Sequence, residues 1–187
     1  MSGPADAFRP LGRGASFTRA NKLERIAFRV AWLLLARFTP PPLHAWRAML
    51  LRLFGARIGR GARVYGSVRV WLPRNLAIGE GALIAGGVEL YDQGRISVGP
   101  HSVISQRAFL CASSHRLSDP LFELVPGPIE IGRGCWIAAE AFVGPGVTMG
   151  DGAVVAARGA LFEDAAAMTV YRGNPAQPLK ERRFGDA

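Results

Sequence analysis

The chain has 187 residues, 49% hydrophobic and 20% charged, which fits one folded domain with an appendage and excludes a disordered tail. No run approaches the ~20 uncharged apolar residues of a membrane-spanning helix; the longest in the apolar N-terminal region, Val30 to Ala36, is seven. The formal charge is +9, but residues 1–57 hold ten Lys/Arg against two Asp/Glu and residues 58–170 hold nine against ten, an asymmetry that disfavours a nucleic-acid binder and points to an anionic membrane surface.

Residues 1–22, rich in Gly, Arg, Ser and Ala without periodicity, read as a mobile basic tail. Residues 23–54 read as an amphipathic helical segment. Within it, Leu23, Ile26, Ala27, Val30, Leu33, Leu34 and Phe38 recur at helical spacing and predict a helix over 23–38. Pro40, Pro41 and Pro42 end it. A second helix over 43–54 sets Trp46, Met49, Leu50, Leu53 and Phe54 on one side, with Arg47 and Arg52 elsewhere. Such helices suit a bilayer interface. They equally suit a cap on the domain, and different faces can do both. Arginines interrupt the stretch and no small-residue cleavage site follows, so it is not read as a secretory signal. A cytoplasmic protein in peripheral contact with the inner membrane face is expected.

From Ile58 an internal repeat begins. Aliphatic residues fall at Ile58, Val64 and Val70, at Ile78, Ile84 and Leu90, and at Val98, Ile104 and Leu110. They resume at Ile131, Ile137 and Val143, then Met149, Val155 and Leu161. The spacing within each set is six, and the first two joins are eight. Four residues after each aliphatic stands a small residue, Arg74 excepted. A period of six is neither helical nor that of a long alternating strand. It suits short strands joined by tight turns, three to a triangular coil, with coils stacked about 4.8 Å apart. About five coils are predicted over residues 55–170, with a loop at 116–130 and a closing segment at 171–187. Cys111 and Cys135 are too few for a disulfide framework and form no CxxC pair.

Several motifs accompany the repeat. The lead-in is Leu53-Phe54-Gly55-Ala56; then come Ser114-His115, Ser118-Asp119-Pro120 and Phe122; then Cys135-Trp136-Ile137 and Val143-Gly144-Pro145-Gly146-Val147; and last Arg172-Gly173-Asn174-Pro175-Ala176. Together these resemble the hexapeptide-repeat acyltransferases over about residues 55–180. The likeness is greatest to the colanic-acid and exopolysaccharide acetyltransferase type, related to galactoside, maltose and nodulation-factor acetyltransferases. The resemblance implies an all-β fold, a left-handed parallel β-helix that departs from the right-handed crossover rule. It also implies a homotrimer with sites in the clefts between prisms, acetyl-CoA as donor, no metal, and direct transfer without an acyl-enzyme. Neither cysteine is then a nucleophile.

The regular spacing breaks between Leu110 and Ile131 by an insertion of 15 residues, and long excursions in a strict solenoid are usually functional. His115 stands at its mouth and matches the family's catalytic histidine. Acetyl transfer to a hydroxyl needs a base near neutrality, which imidazole supplies. Asp92 resembles the family's acceptor-binding carboxylate, and a turn-forming Asp explains it equally well. Ser118 and Asp119 are acceptor-side candidates that also suit a loop-shaping role. On the donor side, Ala139 and Ala157, with Ala138 and Ala156, match positions along the family's coenzyme groove; Trp136 matches a tryptophan beside its active-site cleft, within reach of the coenzyme or the loop, and also suits a cover on the core. Arg158 and Lys180, with Arg172, Arg182 and Arg183, are candidates for its phosphates, or else plain solvated surface. His101 and His44 read as structural and interfacial, and Cys135 as packing. The family's Thr-Lys pair near the coenzyme is here Phe162-Glu163, and its acceptor-contacting Asn has no counterpart in the stretch holding Gly86, Gly87 and Glu89.

The expected function is an O-acetyltransferase acting on a sugar hydroxyl of an exopolysaccharide repeat unit or its lipid-linked precursor. A soluble sugar, amino sugar nucleotide or amino acid is the alternative acceptor. A non-catalytic membrane-docked scaffold is the reading from outside the enzymes. A zinc carbonic anhydrase of the same fold is disfavoured, because only His101 and His115 lie in the repeat.

Overall fold

The structure is a computed structural model that describes residues 17–184. Its three long sides are parallel sheets of two- and three-residue strands, and the repeat's aliphatics form three inward columns. On the first side Ile58, Ile78, Val98, Ile131 and Met149 stand in register. On the second stand Val64, Ile84, Ile104, Ile137 and Val155. On the third stand Val70, Leu90, Leu110, Val143 and Leu161. All fifteen are buried. Most strands offer one large side chain to a narrow interior, while Leu76–Ile78, Ile96–Val98 and Ile129–Ile131 on the first side offer two, so aliphatics stack on aliphatics from coil to coil. The fold is the expected left-handed parallel β-helix.

The coil count differs from the expected five. A partial sixth turn is present: Ala165 bridges to Met149, and Tyr171 pairs with Val155. Its strand Thr169–Gly173 turns back into an antiparallel partner, Ala176–Glu181. The repeat's hydrophobic period ends at Leu161, so a small Ala and an aromatic Tyr in the next positions hid this turn.

Helix α1 runs Arg19–Leu35, starting within the stretch expected as tail; the Thr18 hydroxyl accepts the Asn21 N–H and caps it. The rest of that expected tail, 1–16, lies outside the described residues. Helix α2 runs His44–Leu53. Phe28 and Trp32 of α1 and Ala36 just after it join the core, with Ala48, Leu50 and Leu51 of α2. The side the periodicity marked is the outer one: Leu34 and Phe38 are 74% and 83% exposed, and Leu23, Ile26, Val30 and Leu33 also face out. Arg47, placed by sequence away from the apolar side, is wholly buried. It donates to the Val64 carbonyl at 2.6 Å, to Thr39 Oγ1 at 2.7 Å and to the Pro40 and Pro41 carbonyls. A guanidinium with enough acceptors can serve as the interior link between cap and coil.

The irregular joins share one edge, between the third and first sides. Pro73–Asn75 forms a tight turn there, Asp92–Gly94 lies on the next coil, and the long insertion on the coil after. That insertion is a β-hairpin rather than a free loop: Ser113–His115 pairs antiparallel with Leu124–Pro126, and the regular strand Ile129–Ile131 resumes inside the range expected as loop. Gly127 seats the hairpin, since a Cβ there would meet the Gly146 nitrogen at 2.8 Å.

Candidate active site

His115 ends the first hairpin strand. Its Nδ1 lies 2.9 Å from the Phe122 carbonyl oxygen and its ring stacks on Phe122, centroids 4.1 Å apart at 10°. A carbonyl only accepts, so Nδ1 carries the proton. In the neutral ring Nε2 is then the free base. Phe122 reaches back because its φ is +55°, a left-handed turn within the hairpin tip. Arg116 and Glu123 close the hairpin across its neck at 2.9 Å.

Asp92 is fully buried beneath the same edge. Its Oδ1 accepts from Trp71 N at 2.7 Å and Leu72 N at 3.1 Å, while Oδ2 has no hydrogen-bond partner. Burial raises its pKa to about 7 despite those bonds. The carboxyl therefore occupies the turn-forming position. Asp119 is also buried, and its Oδ1 accepts the Leu121 N–H at 3.0 Å, which shapes the hairpin tip. Ser118 is exposed beside it.

Two residues that sequence reading passed over tie the edge together. Ser113 Oγ donates to Gln93 Oε1 at 2.7 Å, and Gln93 Nε2 donates to the Tyr91 hydroxyl at 2.9 Å. Neither belongs to the repeat's aliphatic or small positions; the only signal was their place in the irregular joins.

The donor-side candidates lie elsewhere on the prism. Trp136, half exposed, is in register with Val103 and Val154 on the second side and donates Nε1–H to Ser105 Oγ at 2.9 Å. Lys180 lies on that side too, opposite Val170, which pairs with Val154. Ala139 and Ala157 stand at the corner between the second and third sides, where the Arg158 N–H reaches the Ala139 carbonyl at 2.9 Å. Arg158 is held by Glu140 at 2.7 Å, which raises its pKa; Arg158 and Arg107 together pull Glu140 down. Arg182 spends its guanidinium on the Gly134 and Gly152 carbonyls. Lys180 and Arg172 form no ion pair among the described residues. Cys135 is buried against the Gly150 carbonyl at 3.1 Å, and burial pushes its thiol up, so it stays a protonated packing group. No cluster of three His, Cys, Asp or Glu suited to a metal exists among the described residues.

The β-helical fold is shared with solved acetyltransferases. Acetyl-CoA-bound VCA0836 of Vibrio cholerae, a hexapeptide-repeat acetyltransferase, superposes with a TM-score of 0.81 at 22% identity, covering 97% of this chain and 100% of that one. Galactoside acetyltransferase in complex with coenzyme A gives 0.82 at 22%, covering 90% and 86%. No family profile matches the sequence. Among curated proteins, the colanic acid biosynthesis acetyltransferase WcaF of Escherichia coli K12 is 46% identical over 145 residues, 78% of this chain and 80% of that protein. The galactoside O-acetyltransferase of the same organism is 26% identical over 138 residues, 72% and 68%. The chain belongs to the WcaF family of acetyltransferases.

Proposed function

We propose that the protein moves an acetyl group from acetyl-CoA to a sugar hydroxyl of an exopolysaccharide repeat unit or its lipid-linked precursor, at the cytoplasmic membrane face. His115 Nε2 takes the hydroxyl proton as the sugar oxygen attacks the thioester carbonyl; the new C–O bond forms, the C–S bond breaks, and the coenzyme leaves as thiolate. The observation that carries this reading is the Nδ1 bond to the Phe122 carbonyl, which fixes the tautomer and leaves Nε2 as acceptor. The donor groove runs along the second side and its corner with Ala139 and Ala157. His115 belongs to the opposite edge of that third side, so the base of one prism faces the donor groove of a neighbour in a trimer. WcaF identity supports the exopolysaccharide acceptor, and the coenzyme complexes of the structural neighbours support the donor. Ser118 at the hairpin tip is the exposed candidate for acceptor contact.

The outward apolar faces of α1 and α2 support peripheral membrane docking. They meet where Trp46 Nε1 donates to the Leu35 carbonyl at 2.7 Å, joining Leu34, Leu35, Phe38 and Trp46 into one patch. No described helix is long and apolar enough to cross a membrane. The test is transfer of label from acetyl-CoA into a membrane extract rich in lipid-linked glycans. Label in the glycan fraction with wild type, absent with His115→Ala, is expected. Coenzyme binding without transfer to any glycan fraction would remove the acceptor assignment.

A further inference from the structure

A second feature lies at the other end of the irregular edge, between α1 and the first two coils. The Arg25 guanidinium sits 4.2 Å from the Trp71 ring centroid and that of Arg29 sits 5.4 Å from it. The neighbouring cations are neutralised: Arg74 pairs with Glu24, and Arg69 with Glu89. Arg25 and Arg29 have no carboxylate among the described residues. Moreover, Arg25 Nε and Trp71 Nε1 are both buried donors without an acceptor. Buried donors left unmade are costly, and two like charges on one ring repel. Burial and the Arg29 charge both lower the pKa of Arg25. An anion at this point would relieve all three penalties.

Arg29 and Trp71 of the cluster line a groove of about 510 Å³ between α1 and the third side, and Arg25 lies behind Trp71 with its guanidinium also 5.1 Å from the Phe17 ring centroid. Its walls include Phe28, Trp32, Leu33, Val68, Val70 and Tyr91 together with the charged Arg37 and the Arg69–Glu89 ion pair. Leu33 also belongs to the exposed apolar face of α1, so the groove and the membrane-facing patch are continuous. From the cluster a chain of contacts leads to the catalytic hairpin: Trp71 lies 4.8 Å from Tyr91, Tyr91 accepts from Gln93, and Gln93 accepts from Ser113.

We infer that Arg25, Arg29 and Trp71 form a binding site for the phosphate of a single-chain anionic lipid whose chain lies in the groove beneath α1. The apolar groove fits a chain, the unpartnered donors fit a phosphate, and neither feature alone would select the amphiphile. As an anchor for the acceptor this rests on the acetyl-transfer reading; as a binding site it does not, since occupancy is measured without donor or turnover.

The experiment is calorimetric titration of the full chain with farnesyl monophosphate, with inorganic phosphate and farnesol as separate probes and phosphatidylglycerol vesicles as a third. Saturable one-to-one binding of farnesyl monophosphate is expected, at least tenfold tighter than either fragment. Arg29→Gln and Trp71→Phe each weaken it about tenfold, because each removes donors to a charged group. Both variants keep wild-type acetyl-CoA binding, which separates a lost site from a lost fold. Inorganic phosphate binding as tightly as the ester, or variants binding like wild type, would overturn the site. Binding confined to vesicles would also overturn it, as surface electrostatics would then suffice. A wild type that binds the ester but transfers no acetyl group would remove the catalytic reading and leave this one.

Discussion

His115 spends one ring nitrogen on its own hairpin to keep the other aimed outward. Replacing it with Ala removes the proposed base, and transfer is expected to fall by about 10²–10⁴-fold while coenzyme binding persists; turnover and calorimetry check the two halves. Asp92 governs a different property. Its folded pKa of about 7 lies above the ordinary 3.8, so the folded state holds a proton that the unfolded chain releases. The stability this contributes is fully present below pH 4 and is lost as pH rises through about 7. Asp92→Asn keeps an oxygen for the Trp71 and Leu72 N–H groups and removes the charge. Denaturant midpoints of the variant should vary less between pH 4 and 8 than those of wild type. An unchanged pH slope would contradict the burial argument.

Among the elements, the N-terminal helices are the most easily read in the sequence, and α1 uses two faces, one joined to the core and one facing out. The apolar periodicity of α1 marks its outward face, because only Phe28 and Trp32 of the helix are buried. Burial of Arg47 was invisible for a similar reason: a charge in a sequence carries no sign of the four acceptors that would bury it. Arg47→Met removes one of two donors from the Val64 and Pro40 carbonyls and the Arg47 donor from the Pro41 carbonyl, and a loss of about 1–3 kcal/mol in unfolding free energy is expected. The outward face makes a cleaner test of docking than deleting residues 1–54, which would strip the core from the first coil. Leu34→Glu with Phe38→Glu should release the protein from anionic vesicles in a flotation assay with unfolding unchanged. Continued flotation would remove the docking role.

For the molecule as a whole, the period of six made the solenoid legible, because each inward aliphatic must stack on its counterpart in the next coil. The sixth turn was not legible, since Ala165 and Tyr171 break the aliphatic pattern while keeping the backbone ladder. Within the site, the long insertion announced His115. The Gln93–Ser113 link and the Arg25–Trp71 cluster did not announce themselves, since they join residues on different coils whose spacing no short motif records. The same topology places His115 and the alanine corner at opposite edges of the third side. The central claim, a catalytic centre assembled from two prisms, is tested most directly by mixing. His115→Ala and Ala157→Trp, the second filling the donor track, are each expected to be inactive alone. Co-expression is expected, in the proposed trimer, to give some clefts that join an intact His115 to an intact donor corner, with acetyl transfer returning to a fraction of wild type. Mixed trimers that stay inactive would place base and donor groove on the same protomer and contradict the account.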